Sequence, residues 1–305
     1  MLRRPDLGLI LAAAVAVTGA VSAAPRADYV GTFVWSDPLP RFGGFSALDL
    51  RPDGLGFVAV SDSAAFFNGR VMRGADGAVI AVEAGPPVIP LSRHGTPVQD
   101  PMDDAEGVAF APDGGLYVSY ETEDRVARYG PEGRKWLAED WSELFKGFEI
   151  NFGIEALAID ASGALYAMPE RSVPRYAPIP VFRGLDGVWD QPFTLRRDGD
   201  WLPVGADFGP DGRLYLLERD YWALIGFMSR VRRITFAGDH VAADEVLLQT
   251  QAGTHDNLEG LAVWQDVEGA IRLTMISDDN FLPTQRTEIV DYRVTERLDG
   301  TPAGA

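Results

Sequence analysis

Glu106-Gly-Val-Ala-Phe-Ala-Pro-Asp-Gly-Gly-Leu-Tyr-Val-Ser-Tyr-Glu121 decides the fold, because the chain repeats it. Glu155-Ala-Leu-Ala-Ile-Asp-Ala-Ser-Gly-Ala-Leu-Tyr-Ala-Met-Pro-Glu170 follows at a shift of 49, with the end carboxylates and the Leu-Tyr pair aligned. Val204-Gly-Ala-Asp-Phe-Gly-Pro-Asp-Gly-Arg-Leu-Tyr-Leu-Leu-Glu218 repeats the core at the same shift. Ser46-Ala-Leu-Asp-Leu-Arg-Pro-Asp-Gly54 is an earlier copy; Glu259-Gly-Leu-Ala-Val-Trp264 with Ile271-Arg-Leu-Thr-Met-Ile-Ser-Asp278 is a later one. Each copy is a short apolar strand, a turn with Gly where φ is positive, and a second apolar strand, which is a β-hairpin.

A period of about 50 residues with room for about four strands per unit is the signature of a β-propeller. A single blade cannot bury both of its faces, so blades stack in a ring. Five hairpins favour five blades, and a degenerate sixth stays open. Tyr29 to Trp35 precedes the first hairpin and Thr287 to Val294 follows the last, so the two ends are expected to complete one blade and remove exposed edges. The reading is therefore all-β, with one domain over residues 25–305.

Composition narrows the partners. Lys plus Arg total 27 against 45 Asp plus Glu, a net charge of −18, which repels nucleic-acid phosphates and anionic lipid surfaces. With 0 Cys there is no disulfide, thiolate nucleophile or Cys-held metal. The 33 Gly and 21 Pro suit a fold of many turns. Residues 1–24 read as an export signal: Arg3 and Arg4, then an apolar run from Leu7 to Val17, then small residues before the cut. That run is shorter than the ~20 residues a spanning helix needs, and no later segment spans a bilayer. The expected location is periplasmic or secreted.

The repeat also places carboxylates. In an antiparallel hairpin the start of the first strand and the end of the second lie at one end. Glu106, Glu155 and Glu259 start innermost strands and should converge at one mouth of the channel; Glu121, Glu170 and the Asp278-Asp279-Asn280 run end second strands. Asp104 and Asn257 each stand two residues before their Glu, as [Asp/Asn]-x-Glu-Gly. Converging carboxylates repel unless a cation neutralises them, and all-oxygen ligands suit a hard divalent ion, Ca²⁺ foremost. We assign Glu106, Glu155, Asn257 and Glu259 as its ligands. Caps on strand ends are the competing reading of the same residues. Ser46 and Val204 leave gaps in the Glu ring, where Asp207 is expected to supply the fourth unit's carboxylate. Glu218 follows its Tyr by three residues rather than four, so it should face away. Arg219 and Arg286, with Asn280, are expected to hold an anionic group of a small substrate. His255 is either a proton shuttle or a plain loop residue.

The stretch Asp256-Asn257-Leu-Glu259-Gly-Leu-Ala-Val-Trp, then Ser277-Asp278-Asp279-Asn280-Phe281 and Gln285-Arg286-Thr287, resembles the phytase-like family described by "esterase-like activity of phytase". Asp104-Ala-Glu106-Gly and Leu214-Tyr-Leu-Leu-Glu218-Arg219 carry the same resemblance. It implies a phosphoric-ester hydrolase and singles out Asn257, Glu259, Asp278, Asp279, Asn280 and Arg286. Lactonases of the gluconolactonase type are similar in architecture only. The expected chemistry is hydrolysis of an ester by a metal-bound water, with Asp278 or Asp279 as general base. A non-catalytic binding propeller and a lactonase acting on sugar acids are the alternatives.

Overall fold

Pro52-Asp53-Gly54, Pro112-Asp113-Gly114 and Pro210-Asp211-Gly212 each close a tight turn, with the glycine N–H donating back three residues at 2.8 Å in every case. Gly54, Gly114 and Gly212 take φ of 67°, 86° and 72°, which a side chain disfavours. These turns join the inner two strands of their blades.

The computed structural model describes residues 24–99, 102–148 and 152–296. The expected export signal lies outside them, Ala24 apart. The described residues form twenty strands: β1 (Arg26–Val34), β2 (Phe45–Leu50), β3 (Gly56–Ser61), β4 (Phe66–Arg73), β5 (Val79–Ala84), β6 (Ala105–Phe110), β7 (Leu116–Tyr120), β8 (Arg125–Tyr129), β9 (Trp136–Asp140), β10 (Ile154–Ile159), β11 (Leu165–Pro169), β12 (Ile179–Leu185), β13 (Val188–Leu195), β14 (Leu202–Phe208), β15 (Leu214–Trp222), β16 (Gly226–Phe236), β17 (Val241–Gln249), β18 (Asn257–Gln265), β19 (Ile271–Asp278) and β20 (Glu288–Thr295). The only helical element among them is a 3-10 turn at Glu143–Phe145.

The strands make five antiparallel four-stranded sheets: β2 to β5, β6 to β9, β10 to β13, β14 to β17, and β18-β19-β20-β1. The count settles on five blades. The fifth is completed by the N-terminal strand, Tyr29 pairing with Tyr292 and Val34 with Glu288. The ends close the ring as the sequence suggested.

Five apolar clusters fill the five gaps between neighbouring blades. Phe45, Phe57 and Phe67 of the first blade pack on Trp264 and Ile289 of the fifth; Val58 and Phe66 pack on Val108 and Leu116 of the second. Val126 meets Leu157 and Phe182, Met168 and Val181 meet Leu214 and Ile234, and Tyr215 and Val231 meet Leu261 and Leu273. Burial of such side chains at about 1.5–3 kcal/mol each is what holds one blade to the next. A polar tie reinforces the closing seam: Arg73 of the first blade donates to Asp291 of the fifth at 2.7 Å, and Asp291 accepts the Val79 N–H at 2.9 Å. The innermost strands β2, β6, β10, β14 and β18 surround an axial cavity of only about 10 Å³. That is room for about one water, so chemistry belongs at the mouth rather than inside the channel.

Candidate metal centre at the channel mouth

Every innermost strand carries a β-bulge at the same place. The register slips between Phe45 and Ala47, Ala105 and Gly107, Ile154 and Ala156, Pro203 and Gly205, and Leu258 and Gly260. The extra residues are Ser46, Glu106, Glu155, Val204 and Glu259, and all five line the axial cavity. A bulge re-aims one side chain without disturbing the ladder beyond it. Here it turns the Glu slot of the repeat toward the axis. In three of the five strands a glycine follows, Gly107, Gly205 and Gly260, and Ala47 and Ala156 stand in the other two. A Cβ on Gly260 would lie 2.5 Å from Leu48 N, and one on Gly205 would lie 2.3 Å from Glu259 O, so at these two positions only Gly lets the neighbouring inner strand approach.

A second ring lies one layer out, at the ends of the second strands. Backbone pairing puts Asp62 opposite Gly44, Glu121 opposite Asp104 and Glu170 opposite Gly153. Arg219 pairs with Leu202, and Asp278 with Asn257. Asp62, Glu121, Glu170, Arg219 and Asp278 are therefore equivalent positions. The two rings together hold seven carboxylates against one guanidinium. Asp62 was not legible beforehand; its signal was its place just after an apolar strand.

Glu218 turns away, as its spacing suggested. It is fully buried inside its blade, held by Arg230 Nε at 2.7 Å and Arg232 Nη1 at 2.9 Å. Arg219, one residue on, takes the mouth position. Its Nη2 donates to Glu170 Oε1 at 2.8 Å, and its Nη1 donates to Asn257 Oδ1 at 3.0 Å and to Glu259 Oε1. Asn257 Nδ2 donates to the same Glu259 oxygen at 2.8 Å. Burial opposes the charge on Arg219, but Glu259, Glu170 and Glu155 more than offset it and hold the proton on. Of the four expected ligands, Asn257 and Glu259 thus gather around an arginine.

Among the described residues, the remaining half of the mouth has no such partner. Asp104, Glu106 and Glu121 each offer an oxygen within 4.8 Å of the others, the only group of three or more potential ligands this close among the described residues. Burial, then the neighbouring charges of Asp104, Glu259 and Glu121, push the Glu106 carboxyl well above its usual range. Burial, then Glu106, Glu170 and Glu259, do the same to Glu155. Burial lifts Glu121 to about 7 and Glu259 to about 8, although Gly153 N–H and Arg219 respectively work against it. Asp62 and Asp278 rise to about 6, mainly through burial. So many carboxyls displaced upward in one place describe a site short of positive charge. An oxygen-only donor set of this kind fits a hard divalent cation.

The other expected residues differ in how free they are. Asp278 is 8% exposed and accepts the Asn280 N–H through Oδ1 at 2.6 Å. Asp279 is committed to the loop: Oδ1 accepts the N–H of Gly44 at 2.9 Å and of Phe281 at 3.1 Å, and Oδ2 accepts from Thr287 Oγ1 at 3.2 Å. Asn280 sits at φ 48° and contributes its backbone. Arg286 stands at the rim, its side chain 61% exposed and paired with Glu288 at 2.7 Å. His255 contacts Tyr292 Oη at 2.7 Å, and burial lowers its pKa.

Asp207 corrects an expectation. It lies near the far end of β14, accepts the Val263 N–H at 2.6 Å and faces Asp49, which accepts the Phe110 N–H at 2.7 Å. Both clamp one blade to the next at the opposite face. Val204 occupies the fourth bulge, so that blade has no carboxylate there.

Several solved structures are similar to the chain. The chain is similar to an aldose sugar dehydrogenase from Streptomyces coelicolor, at 13% identity over 89% of this chain and 100% of that one, TM-score 0.45. It is also similar to a protein of unknown function from Dyadobacter fermentans, at 12% identity over 87% and 79%, TM-score 0.46. A virginiamycin B lyase from Staphylococcus aureus follows at 15% identity over 83% and 71%, TM-score 0.41. At such identities and scores these likenesses carry no argument. The search of curated proteins gave no match. The model of one family matches residues 40–281, which contain both acidic rings and the loop of Asp278 and Asp279. The chain belongs to the phytase-like family, described as "Esterase-like activity of phytase".

Proposed function

We propose that this chain is an exported, cation-dependent ester hydrolase working at the acidic mouth, with a phosphoric ester of a small anionic molecule as substrate. The observation that carries the reading is the charge imbalance of the two rings around Asp104, Glu106 and Glu121, in a chain of this family. Those three would hold a divalent cation, Ca²⁺ by the character of the donors, with Glu155 beside them; bound there, it supplies polarisation of an ester oxygen and acidification of a water. Arg219 keeps Glu170, Glu259 and Asn257 fixed, and so frames the site from the other side. Asp278 is the better general base of the aspartate pair: its carboxyl, raised to about 6, accepts a proton near neutrality, whereas Asp279 is tied into its loop. Arg286, exposed at the rim, orients an anionic group.

No helix among the described residues is long and apolar enough to cross a membrane. The test is hydrolysis by the mature chain of a phosphomonoester, phytate, a carboxyl ester and a lactone, with EDTA and then with Ca²⁺ restored. Hydrolysis of a phosphoric ester that disappears with chelator and returns with Ca²⁺ supports the proposal. Hydrolysis of the lactone alone supports the sugar-acid reading instead. No turnover of any of the four overturns the enzymatic reading in favour of a binding propeller.

A further inference from the structure

The hairpin of β15 and β16 outgrows its blade. In the other blades the second strand stops at its mouth residue or just before it: β3 at Ser61, β7 at Tyr120, β11 at Pro169 and β19 at Asp278. β15 passes its own mouth residue, Arg219, and stays paired as far as Trp222, which faces Gly226. Three further residues at about 3.3 Å each carry the strand roughly 10 Å past the acidic ring.

From Tyr221 to Ser229 the sequence is Tyr-Trp-Ala-Leu-Ile-Gly-Phe-Met-Ser, without a charge. Tyr221, Trp222 and Ile225 are more than half exposed, and Leu224 is fully exposed. Leu224 is the third residue of the turn that the Ile225 N–H closes on Trp222 O at 3.0 Å, and its φ is 74°. Gly or Asn is the usual occupant of such a position. The chain thus accepts local strain to hold a leucine at the very tip. The hairpin below it is braced: the Tyr221 and Phe227 rings pack at 4.8 Å across the ladder, and the Gly253 N–H donates to Phe227 O at 2.9 Å. On the neighbouring fifth blade the connection from β19 to β20 adds Phe281 and Leu282, each at least half exposed, three and four residues past Asp278. The corresponding connections of the first two blades, Asp62–Ala65 and Glu121–Asp124, are short and bring no large exposed apolar side chain.

Exposed apolar side chains gathered at one end of a molecule mark a contact surface. Charge and shape select what covers this one. A net charge of −18 repels a second copy of the chain and an anionic surface alike, but not an uncharged one. A projecting finger is convex, so a protein partner would need a groove cut to it, whereas hydrocarbon closes round any shape. Along the finger the amphipathic rings of Tyr221 and Trp222 come first and the aliphatic Leu224 and Ile225 last. That is the order of the interfacial and hydrocarbon zones of a bilayer. The reach of roughly 10 Å matches the ~5–10 Å to which interfacial proteins bury apolar groups. We propose that the β15–β16 hairpin inserts into a zwitterionic lipid surface, with Phe281 and Leu282 as a second point of contact, and so docks the mouth end of the propeller on the bilayer. The proposal does not depend on the hydrolase reading, since it concerns binding without turnover.

The experiment floats the mature protein with phosphatidylcholine vesicles in EDTA and physiological salt, beside vesicles that also contain phosphatidylglycerol. Saturable co-flotation with phosphatidylcholine is expected, no stronger when phosphatidylglycerol is added. Leu224→Asn should lower the partition coefficient about tenfold, the worth of one leucine side chain taken out of water. Its melting temperature should stay the same or rise, because Asn tolerates the positive φ. Leu224→Asn combined with Ile225→Ser should abolish flotation. Absence of binding to phosphatidylcholine overturns the proposal. So does binding that the double variant leaves unchanged, or binding that appears only with phosphatidylglycerol. Sedimentation of lipid-free protein as oligomers that the double variant dissolves would assign the hairpin to a second copy instead, and would overturn it too.

Discussion

Arg219 on the fourth blade and Glu259 on the fifth meet across the channel mouth, the guanidinium Nη1 donating to Glu259 Oε1. One register step, which buries Glu218 and presents Arg219, converts a mouth of carboxylates alone into a divided one. The half near the fourth and fifth blades carries its own cation as a side chain. Among the described residues, the half formed by the second blade does not.

Removing that side chain should therefore cost stability. Arg219 is 19% exposed and Glu170 6%, so Arg219→Met leaves carboxylates buried and unpaired. The expected loss is about 3–5 kcal/mol, read as a lower urea midpoint. Adding Glu170→Gln and Glu259→Gln to the same chain should recover most of it. A single variant as stable as the parent would show that the pair is not holding the mouth.

The bulge glycines should be intolerant of a methyl group. A Cβ on Gly260 meets Leu48 N at 2.5 Å and Ala47 C at 2.8 Å, backbone that cannot rotate away. Gly260→Ala should destabilise by about 1–3 kcal/mol, with Ca²⁺ binding little changed, because Glu259 is held by Arg219 and Asn257 on the other half of the mouth. Thermal melting with and without Ca²⁺ checks both. Gly163→Ala serves as the control for a glycine with nothing within 4 Å of an added Cβ, its φ of 89° alone being strained.

At the opposite face the pH response has a definite sign. Burial raises the Asp49 carboxyl from 3.8 to about 7, against the Phe110 N–H that favours its ionised form. Between those values the folded chain holds a proton that the unfolded chain has released. This contribution is fully present below about pH 4 and is lost as pH rises toward 7. Asp49→Asn keeps an acceptor for the Phe110 N–H but cannot ionise. Relative to the parent, it should gain stability on going from pH 5 to pH 8 in urea unfolding. A pH-independent difference between the two proteins would contradict the assignment.

The two neighbouring aspartates should fail in different ways. Asp278→Asn should lower turnover by roughly 10²-fold or more, with Ca²⁺ affinity and melting little changed. Asp279→Asn disturbs the bonds to Gly44, Phe281 and Thr287 and should lower the melting temperature first. Steady-state kinetics beside melting curves distinguish them. Reversed behaviour would exchange their roles.

Much of this was legible in the sequence. Turn glycines at fixed offsets gave the hairpins, the count of hairpins gave the blades, and apolar strands at both ends gave the closure. The convergence of Glu106, Glu155 and Glu259 followed from their place at the start of innermost strands. What escaped was local backbone geometry. A bulge adds one residue on one strand and leaves no mark in composition; the Glu-Gly pair was its trace, and only the contacts between inner strands explain it. Asp207 stands in the right strand for the mouth, yet three residues past Val204 it has descended to the far end. Arg219, expected on the sequence to hold an anionic group of the substrate, has Glu170, Asn257 and Glu259 as partners.

Calorimetric titration of Ca²⁺ into chelator-treated protein tests the central claim most directly. The account predicts one saturable site per chain, abolished or greatly weakened by Glu106→Gln and by Glu121→Gln. At 100-fold excess over Kd the bound ion would add about 2.7 kcal/mol to stability. A parent protein that takes up no Ca²⁺, or one whose uptake is the same in both variants, would contradict it and leave the mouth carboxylates as caps on strand ends.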